Sequence, residues 1–283
     1  MKKIYLNLKR FDVPAASGGI NRLAPIEGWA QEIMGRTQDV LARYDGQAEF
    51  TMFFPEAHLL LAKAVSNGRI HIGSQGVFRA DIGAGGNLGS FTTNLPATAA
   101  RELGADSVLI GYSEERNDKI GAYMLGSGNQ GAVDAQLNME IKAALKAGLR
   151  VLYCIGVRAE EQERWESILR IQLDIGLMNV NPKQVTIAYE PMWAIGAIGA
   201  NDLPDKAHIQ KMVRYIKEHT GGAEIVYAGL RKENAAMLAG ISEISGGLIG
   251  LTDFGENFGF TPEGYLEIVD SYLRRVSFSA EEE

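Results

Sequence analysis

Residues 185–196 read Val185-Thr186-Ile187-Ala188-Tyr189-Glu190-Pro191-Met192-Trp193-Ala194-Ile195-Gly196. A short β-branched run closes on a carboxylate, and a proline, a tryptophan and small residues come directly after it. The run reads as a strand and residues 191–196 as a loop. Working outward, similar runs stand at Ile4–Leu8, Phe50–Phe54, Ile70–Gly73, Ser107–Gly111, Val151–Ile155, Ile225–Ala228 and Gly247–Ile249, which with Val185–Tyr189 makes eight. Segments with helical apolar spacing lie between them, among them Ala135–Ala147, Glu160–Gly176, Asp205–His219 and Pro262–Arg274. Several runs are apolar on consecutive positions, as strands covered on both faces must be, so the alternation is that of a parallel α/β sheet. Eight such units favour closure into a (β/α)8 barrel. An open doubly wound sheet is the structural alternative, but no run leads through Gly-x-Gly-x-x-Gly into a helix, which removes the dinucleotide-binding reading. The cluster Gly83-Ala84-Gly85-Gly86 falls in a long loop and reads as connection.

A chain of 283 residues exceeds the usual domain size, yet α/β barrels of about 250 residues are routinely single domains. Residues 1–283 therefore read as one barrel domain, with 275–283 as a solvated tail ending in Glu281-Glu282-Glu283. The net charge of −7 leaves no basic stripe for a nucleic-acid backbone. A single cysteine, Cys154, excludes an intrachain disulfide, and the four histidines lack zinc-ligand spacing, so no metal is expected. No apolar run approaches the ~20 residues of a spanning helix, and Met1-Lys2-Lys3 leads into a strand rather than a signal core, so a cytoplasmic protein off the membrane is expected.

Chemistry in such barrels sits where strands end. The first strand ends Asn7-Leu8-Lys9, the fourth Gly111-Tyr112-Ser113-Glu114 and the sixth Tyr189-Glu190-Pro191, so three ends carry ionisable groups. A carboxylate beneath a Pro-Trp loop suggests a base under a movable lid. Taken alone, Glu190 reads equally well as a salt-bridged strand terminus.

Longer matches decide between these. Gly89-Ser90-Phe91-Thr92 through Leu103-Gly104 and on to Val108–Arg116 resembles the third loop, third helix and fourth strand of the triosephosphate isomerase family. Asn7-x-Lys9, Ala147-Gly148-Leu149 with Cys154-Ile155-Gly156, and Ala188-Tyr189-Glu190-Pro191-x-Trp193-Ala194-Ile195-Gly196 resemble its first, fifth and lid motifs. The resemblance implies an aldose–ketose isomerase that needs no cofactor. It assigns Glu190 as the base that moves a proton between carbons beside a carbonyl, and Lys9 as the cation supporting the developing oxyanion. Asn7 positions that oxygen, and Glu114 partners the lysine. Pro191 and Trp193 begin the lid, Tyr227 secures it closed, and the Gly196 N–H is a phosphate ligand. The plain alternatives are a barrel-rim cation for Lys9 and core packing for Tyr227. The resemblance implies a homodimer too, through the loop around Ser90-Phe91-Thr92-Thr93, with Gln75 part of the interface.

Departures concentrate at the carbonyl and phosphate positions. Tyr112 stands where the family has the histidine that polarises the carbonyl, either as a replacement donor or as a space filler. Tyr227-Ala228-Gly229-Leu230 replaces Tyr-Gly-Gly-Ser, so the hydroxyl expected at Leu230 is missing. Gly250-Leu251 replaces a Gly-Gly pair whose bare backbone would approach an anion. The stretch Thr252–Phe260 is longer than the family norm and brings two acids, Asp253 and Glu256. Arg231 and Lys232 could compensate, although their helix-start position favours plain solvent exposure. Ala197-Ile198-Gly199 replaces Thr-Gly-Lys on the lid, and Val157 replaces a glutamate after Cys-Ile-Gly. Two readings remain: an isomerase of a small phosphosugar with altered substrate preference, or a non-catalytic, ligand-binding paralogue that keeps the fold. Both expect Glu190, Lys9 and Tyr112 in one pocket.

Overall fold

The structure is a computed structural model and describes residues 1–83, 86–126, 131–194, 203–255 and 258–279. Eight parallel strands close in sequence order into a barrel. They are β1 (Lys2–Asn7), β2 (Ala48–Phe54), β3 (Ile70–Ser74), β4 (Ser107–Ile110), β5 (Arg150–Gly156), β6 (Val185–Glu190), β7 (Glu224–Ala228) and β8 (Gly246–Ile249). Each contains or nearly coincides with one of the runs read from the sequence. Around them lie α1 (Trp29–Thr37), α2 (Leu59–Val65), α3 (Ala97–Glu102), α4 (Ser113–Leu125), α5 (Gly131–Lys146), α6 (Trp165–Gly176), α7 (Lys206–Thr220), α8 (Lys232–Ala239) and α9 (Pro262–Ser279).

The single helix expected over 160–176 divides into a 3-10 turn, Ala159–Arg164, and then α6. At the other end of the chain α9 runs to Ser279, into the stretch expected as a tail, and Glu281–Glu283 lie outside the described residues. Ala84 and Gly85 of the glycine cluster lie outside them as well.

Strand periodicity of two sorts the core into two layers. Ile4 and Leu6 of β1, and Ile187 and Tyr189 of β6, belong to the large cluster packed between strands and helices. Their neighbours Tyr5 and Ala188 belong to a smaller inner cluster with Phe53, Leu109, Leu152, Cys154, Val226 and Leu248. The inner cluster is tightly filled. Tyr5 stacks on Phe53 at 5.9 Å, and the Phe53 ring leaves only 2.2 Å for a Cβ at Gly73. The inward parity that places Tyr5 and Ala188 inside also delivers Asn7 and Glu190 to the strand ends, directly above a packed floor. Among the described residues no helix is long and apolar enough to cross a membrane.

Candidate active site

Glu190 ends β6 fully buried. Its position depends on a glycine in the neighbouring strand, because a Cβ on Gly156 would lie 1.7 Å from the Glu190 carbonyl oxygen. Ser113, the first residue of α4, donates its backbone N–H to Glu190 Oε2 at 3.1 Å. Oε1 is buried and has no hydrogen-bond partner, and among the described residues Glu190 forms no ion pair. The salt-bridged strand terminus is therefore not what the structure holds. Burial pushes the Glu190 carboxyl up to about 7, with the nearby Glu114 charge adding to the rise and Ser113 and Lys9 opposing it.

The turn from β4 into α4 brings the second group. Gly111 sits at φ +81 with the Cys154 carbonyl oxygen 2.8 Å from any added Cβ, so only glycine makes this turn. Arg116, buried, braces it by donating to the carbonyls of Gly111 (2.8 Å) and Cys154 (2.9 Å) and to Asp134 (2.7 Å). Tyr112, immediately before α4, is thereby fixed at the top of the inner cluster. Burial first, then the charges of Glu190 and Glu114, hold its phenol well above its ordinary range. At working pH it keeps its proton, which it can offer in a hydrogen bond.

Lys9 follows β1 in the left-handed region at φ +42, unusual for a side chain of its size. The backbone is held there from both sides. Asn7 Oδ1 accepts the Lys9 N–H at 3.0 Å. Gln75 Nε2 donates to the Lys9 carbonyl at 2.9 Å and reaches Asn7 Oδ1 and the Phe53 carbonyl at 3.3 Å each. The Lys9 ammonium pairs with Glu114 and lies 5.1 Å over the Tyr112 ring. Glu190, Lys9, Tyr112, Asn7 and Glu114 thus gather at one end of the barrel. Gly250 joins them, since a Cβ placed on it would be 4.0 Å from Lys9 Cε.

Sequence reasoning missed the part played by Gln75 and Arg116. Gln75, expected only at a subunit interface, uses its amide to brace the Lys9 turn within the chain. A glutamine after a buried strand leaves no pattern that would reveal this.

The remaining expected site residues are distributed unevenly. Pro191 is buried and Trp193 half-buried, its ring 5.8 Å from His208 of α7, which also shares a 3.2 Å hydrogen bond with the Tyr189 hydroxyl. Tyr227 is buried with its ring 6.4 Å from Tyr189. Gly196, the lid substitutions at 197–199 and Glu256 lie outside the described residues. Asp253 turns onto its own loop, accepting the Gly255 N–H at 2.7 Å.

At the end of β7, the Leu230 side chain is buried against Gly247, and the N–H groups of Gly229 and Leu230 both donate to the Leu248 carbonyl, at 2.9 and 3.1 Å. Leu251 is half-buried. Lys232 is exposed and paired with Glu267 at 2.8 Å. Arg231 corrects the expectation of plain exposure: it is half-buried, its guanidinium 4.0 Å from the centre of the Phe254 ring, because the long loop after β8 supplies that aromatic face. Among the described residues no group of three or more His, Cys, Asp or Glu side chains could hold a metal ion.

The raised Glu190 carboxyl has a stability consequence. Between the ordinary carboxyl value of 4.5 and about 7 the folded chain keeps a proton that the unfolded chain has released. Folding stability from this group therefore falls as pH rises across that window and is level above it. Glu190→Gln should abolish the slope and be more stable than the unmodified protein at pH 8, by up to roughly 3 kcal/mol, with little difference at pH 4.5. Urea unfolding at both pH values checks this; parallel stability curves would show that the buried carboxylate costs nothing.

Comparison with known proteins agrees with the fold. The family profile described as triosephosphate isomerase matches residues 27–257. The triosephosphate isomerase of Alcanivorax borkumensis is 30% identical over 232 residues, covering 78% of this chain and 87% of that one. That of Cytophaga hutchinsonii is 31% identical over 236 residues, covering 78% and 85%. A crystal structure of triosephosphate isomerase from Bartonella henselae matches the fold with a TM-score of 0.69 at 22% identity, over 96% of this chain and 98% of that one. Asn7 and Lys9 precede the profile match, and closure of β1 between β2 and β8 is what brings them to Glu190's end of the barrel. With barrel, strand ends and relatives in agreement, this chain belongs to the triosephosphate isomerase family.

Proposed function

We propose that the protein is an aldose–ketose isomerase of triosephosphate isomerase type, in which Glu190 removes a proton from the carbon beside a carbonyl and returns it to the neighbouring carbon. The observation that carries this reading is the state of Glu190 itself: fully buried, without an ion pair, one oxygen unpartnered, and with a carboxyl near 7. A base so poised can both take and return a proton near neutrality. Lys9 supplies positive charge beside the oxygen on which negative charge develops, with Asn7 holding the Lys9 turn and Glu114 orienting the ammonium. Tyr112 donates a hydrogen bond from its hydroxyl to the same oxygen and keeps its proton. Pro191 and Trp193 are the stem of the lid, and Tyr227 is its latch. The substrate is a small phosphosugar, and no cofactor takes part.

The departures support a changed substrate preference. Leu230 brings no hydroxyl and its N–H is already taken, and Leu251 adds a side chain where a second glycine is expected. Remote binding energy positions reacting carbons, so altered anion contacts shift which sugar is turned over. A coupled isomerase assay across triose and tetrose phosphates and their unphosphorylated analogues tests the whole reading. Turnover of at least one phosphosugar is expected, faster than for glyceraldehyde 3-phosphate; inertness toward all of them would refute it.

The active form is proposed to be a homodimer, docked through the loop around Ser90–Thr93. Light scattering at micromolar concentration should return twice the 30.8 kDa chain mass. A monomer there would sink the assembly and weaken the role given to Lys9, whose turn is then braced only from within the chain.

A further inference from the structure

The anion-binding side of the site has its backbone donors at the end of β7 already engaged, and Arg231, one of the two cations that the sequence offers in compensation, stands beside them. At the end of β7 the Gly229 and Leu230 N–H groups are both engaged by the Leu248 carbonyl, and the Arg231 N–H is capped by Asn234 Oδ1 at 2.8 Å. Backbone recognition is closed at that point. The Arg231 side chain occupies the same corner, half-buried and stacked on Phe254 at 4.0 Å.

Its surroundings distinguish it from the other cations near the mouth. Lys9 has Glu114 and Lys232 has Glu267. Among the described residues no carboxylate lies within ion-pair distance of Arg231, and Glu233 acts on it only from farther away. Burial lowers the guanidinium's pKa, opposed first by the Glu233 charge. A guanidinium drawn partly out of water without a counter-anion is unfavourable unless something offsets the lost hydration. Phe254 offsets part of it by covering one face of the planar group, and among the described residues no carboxylate takes the forked donors at its edge, the geometry that suits an oxyanion.

We propose that Arg231 is the specificity-determining anion contact of this site, binding the substrate's phosphate through its N–H fork in place of the backbone donors at the end of β7. The inference rests on the reading of the substrate as a phosphosugar. Arg231 touches the remote phosphate and takes no part in the proton transfer. Phe254 is its positioning residue, which gives the long loop after β8 a purpose: it carries the ring that holds the arginine over the site.

The test is calorimetric titration of the full-length protein with inorganic phosphate, which needs no turnover. Saturable binding by the unmodified protein is expected. Arg231→Gln should weaken it at least about tenfold, as loss of a charge-assisted bidentate contact requires. Arg231→Lys, which keeps the charge but not the fork, should fall between. Phe254→Leu should weaken binding less than Arg231→Gln. Lys232→Gln should stay within about twofold, since that charge is exposed and already paired. In the isomerase assay Arg231→Gln should raise KM for the phosphorylated substrate while leaving KM for its unphosphorylated analogue unchanged, a split that general unfolding would not produce.

Absence of saturable phosphate binding by the unmodified protein, equal binding by Arg231→Gln, or an equal loss in Lys232→Gln would each overturn the assignment. Failure of the isomerase reading is a separate result. A protein inert toward every sugar phosphate but binding phosphate through Arg231 retains this site and loses only the reaction, whereas full turnover with an unaffected Arg231→Gln does the reverse.

Discussion

Glu190→Gln is expected to lower turnover by about 10²–10⁴-fold and to stop incorporation of solvent deuterium at the substrate carbon. The substitution keeps the side chain's size, and its amide oxygen can still accept the Ser113 N–H that now reaches Oε2 at 3.1 Å. What it removes is the unpartnered Oε1 as a proton acceptor. Lys9, Glu114 and Tyr112 are tied to one another by their own contacts, so the site should keep its shape and substrate affinity should change far less than turnover. The unmodified protein should show kcat/KM rising with pH through a value near 7, where burial holds the carboxyl. The sign comes from the base being active only when ionised: below that value the carboxyl is occupied by a proton and cannot accept the substrate's. Deuterium exchange followed by NMR, with the pH profile beside it, reads both effects. Exchange at an undiminished rate in the glutamine variant would remove Glu190 as the base and leave the pH profile to another group.

How much of this is legible in the chain depends on the range over which each feature is determined. The strands are, because strand Val185–Glu190 and its seven counterparts are short apolar runs between helical segments, and burial on both faces writes itself into consecutive residues. The strand-end polar residues are legible for the same reason: parity along β1 and β6 points Asn7 and Glu190 inward wherever the strand is recognised. Arg231 is not. Its burial is decided by Phe254, on a loop beyond the next strand, and helix-start position alone favours exposure. The bracing by Gln75 is hidden similarly, since its three amide contacts join β1, β2 and the segment after β3. The engagement of the Gly229 and Leu230 donors is out of reach too, because it depends on a carbonyl in β8. Local pattern reports what a segment buries; it does not report which distant atom satisfies a given donor.

Tyr112→His is expected to raise turnover of triose phosphates, by up to about 10²–10³-fold if the missing imidazole limits the rate. The phenol in this chain is held well above its ordinary range by burial and by the charges of Glu190 and Glu114. It can donate a hydrogen bond to a developing enolate oxygen, but it cannot alternate between giving and receiving a proton as transfer between two adjacent oxygens demands. A neutral imidazole can, and position 112 suits one: it immediately precedes α4, whose N-terminal field disfavours the protonated ring. The backbone at 112, extended at φ −60 and ψ 154, accepts any side chain. The smaller ring leaves space beside the inner cluster to which Tyr112 belongs, at a stability cost on the order of 1–3 kcal/mol, so rates should be compared below the onset of unfolding. Tyr112→Phe supplies the contrast, filling the same space without a hydroxyl, and should lose activity on whichever phosphosugar the unmodified protein prefers. Gain in the histidine variant with loss in the phenylalanine variant would establish the phenol as a working donor specialised away from triose phosphates. No gain in the first and no loss in the second would mean that Tyr112 only fills the mouth, and that the oxygen is served by Lys9 and Asn7 alone.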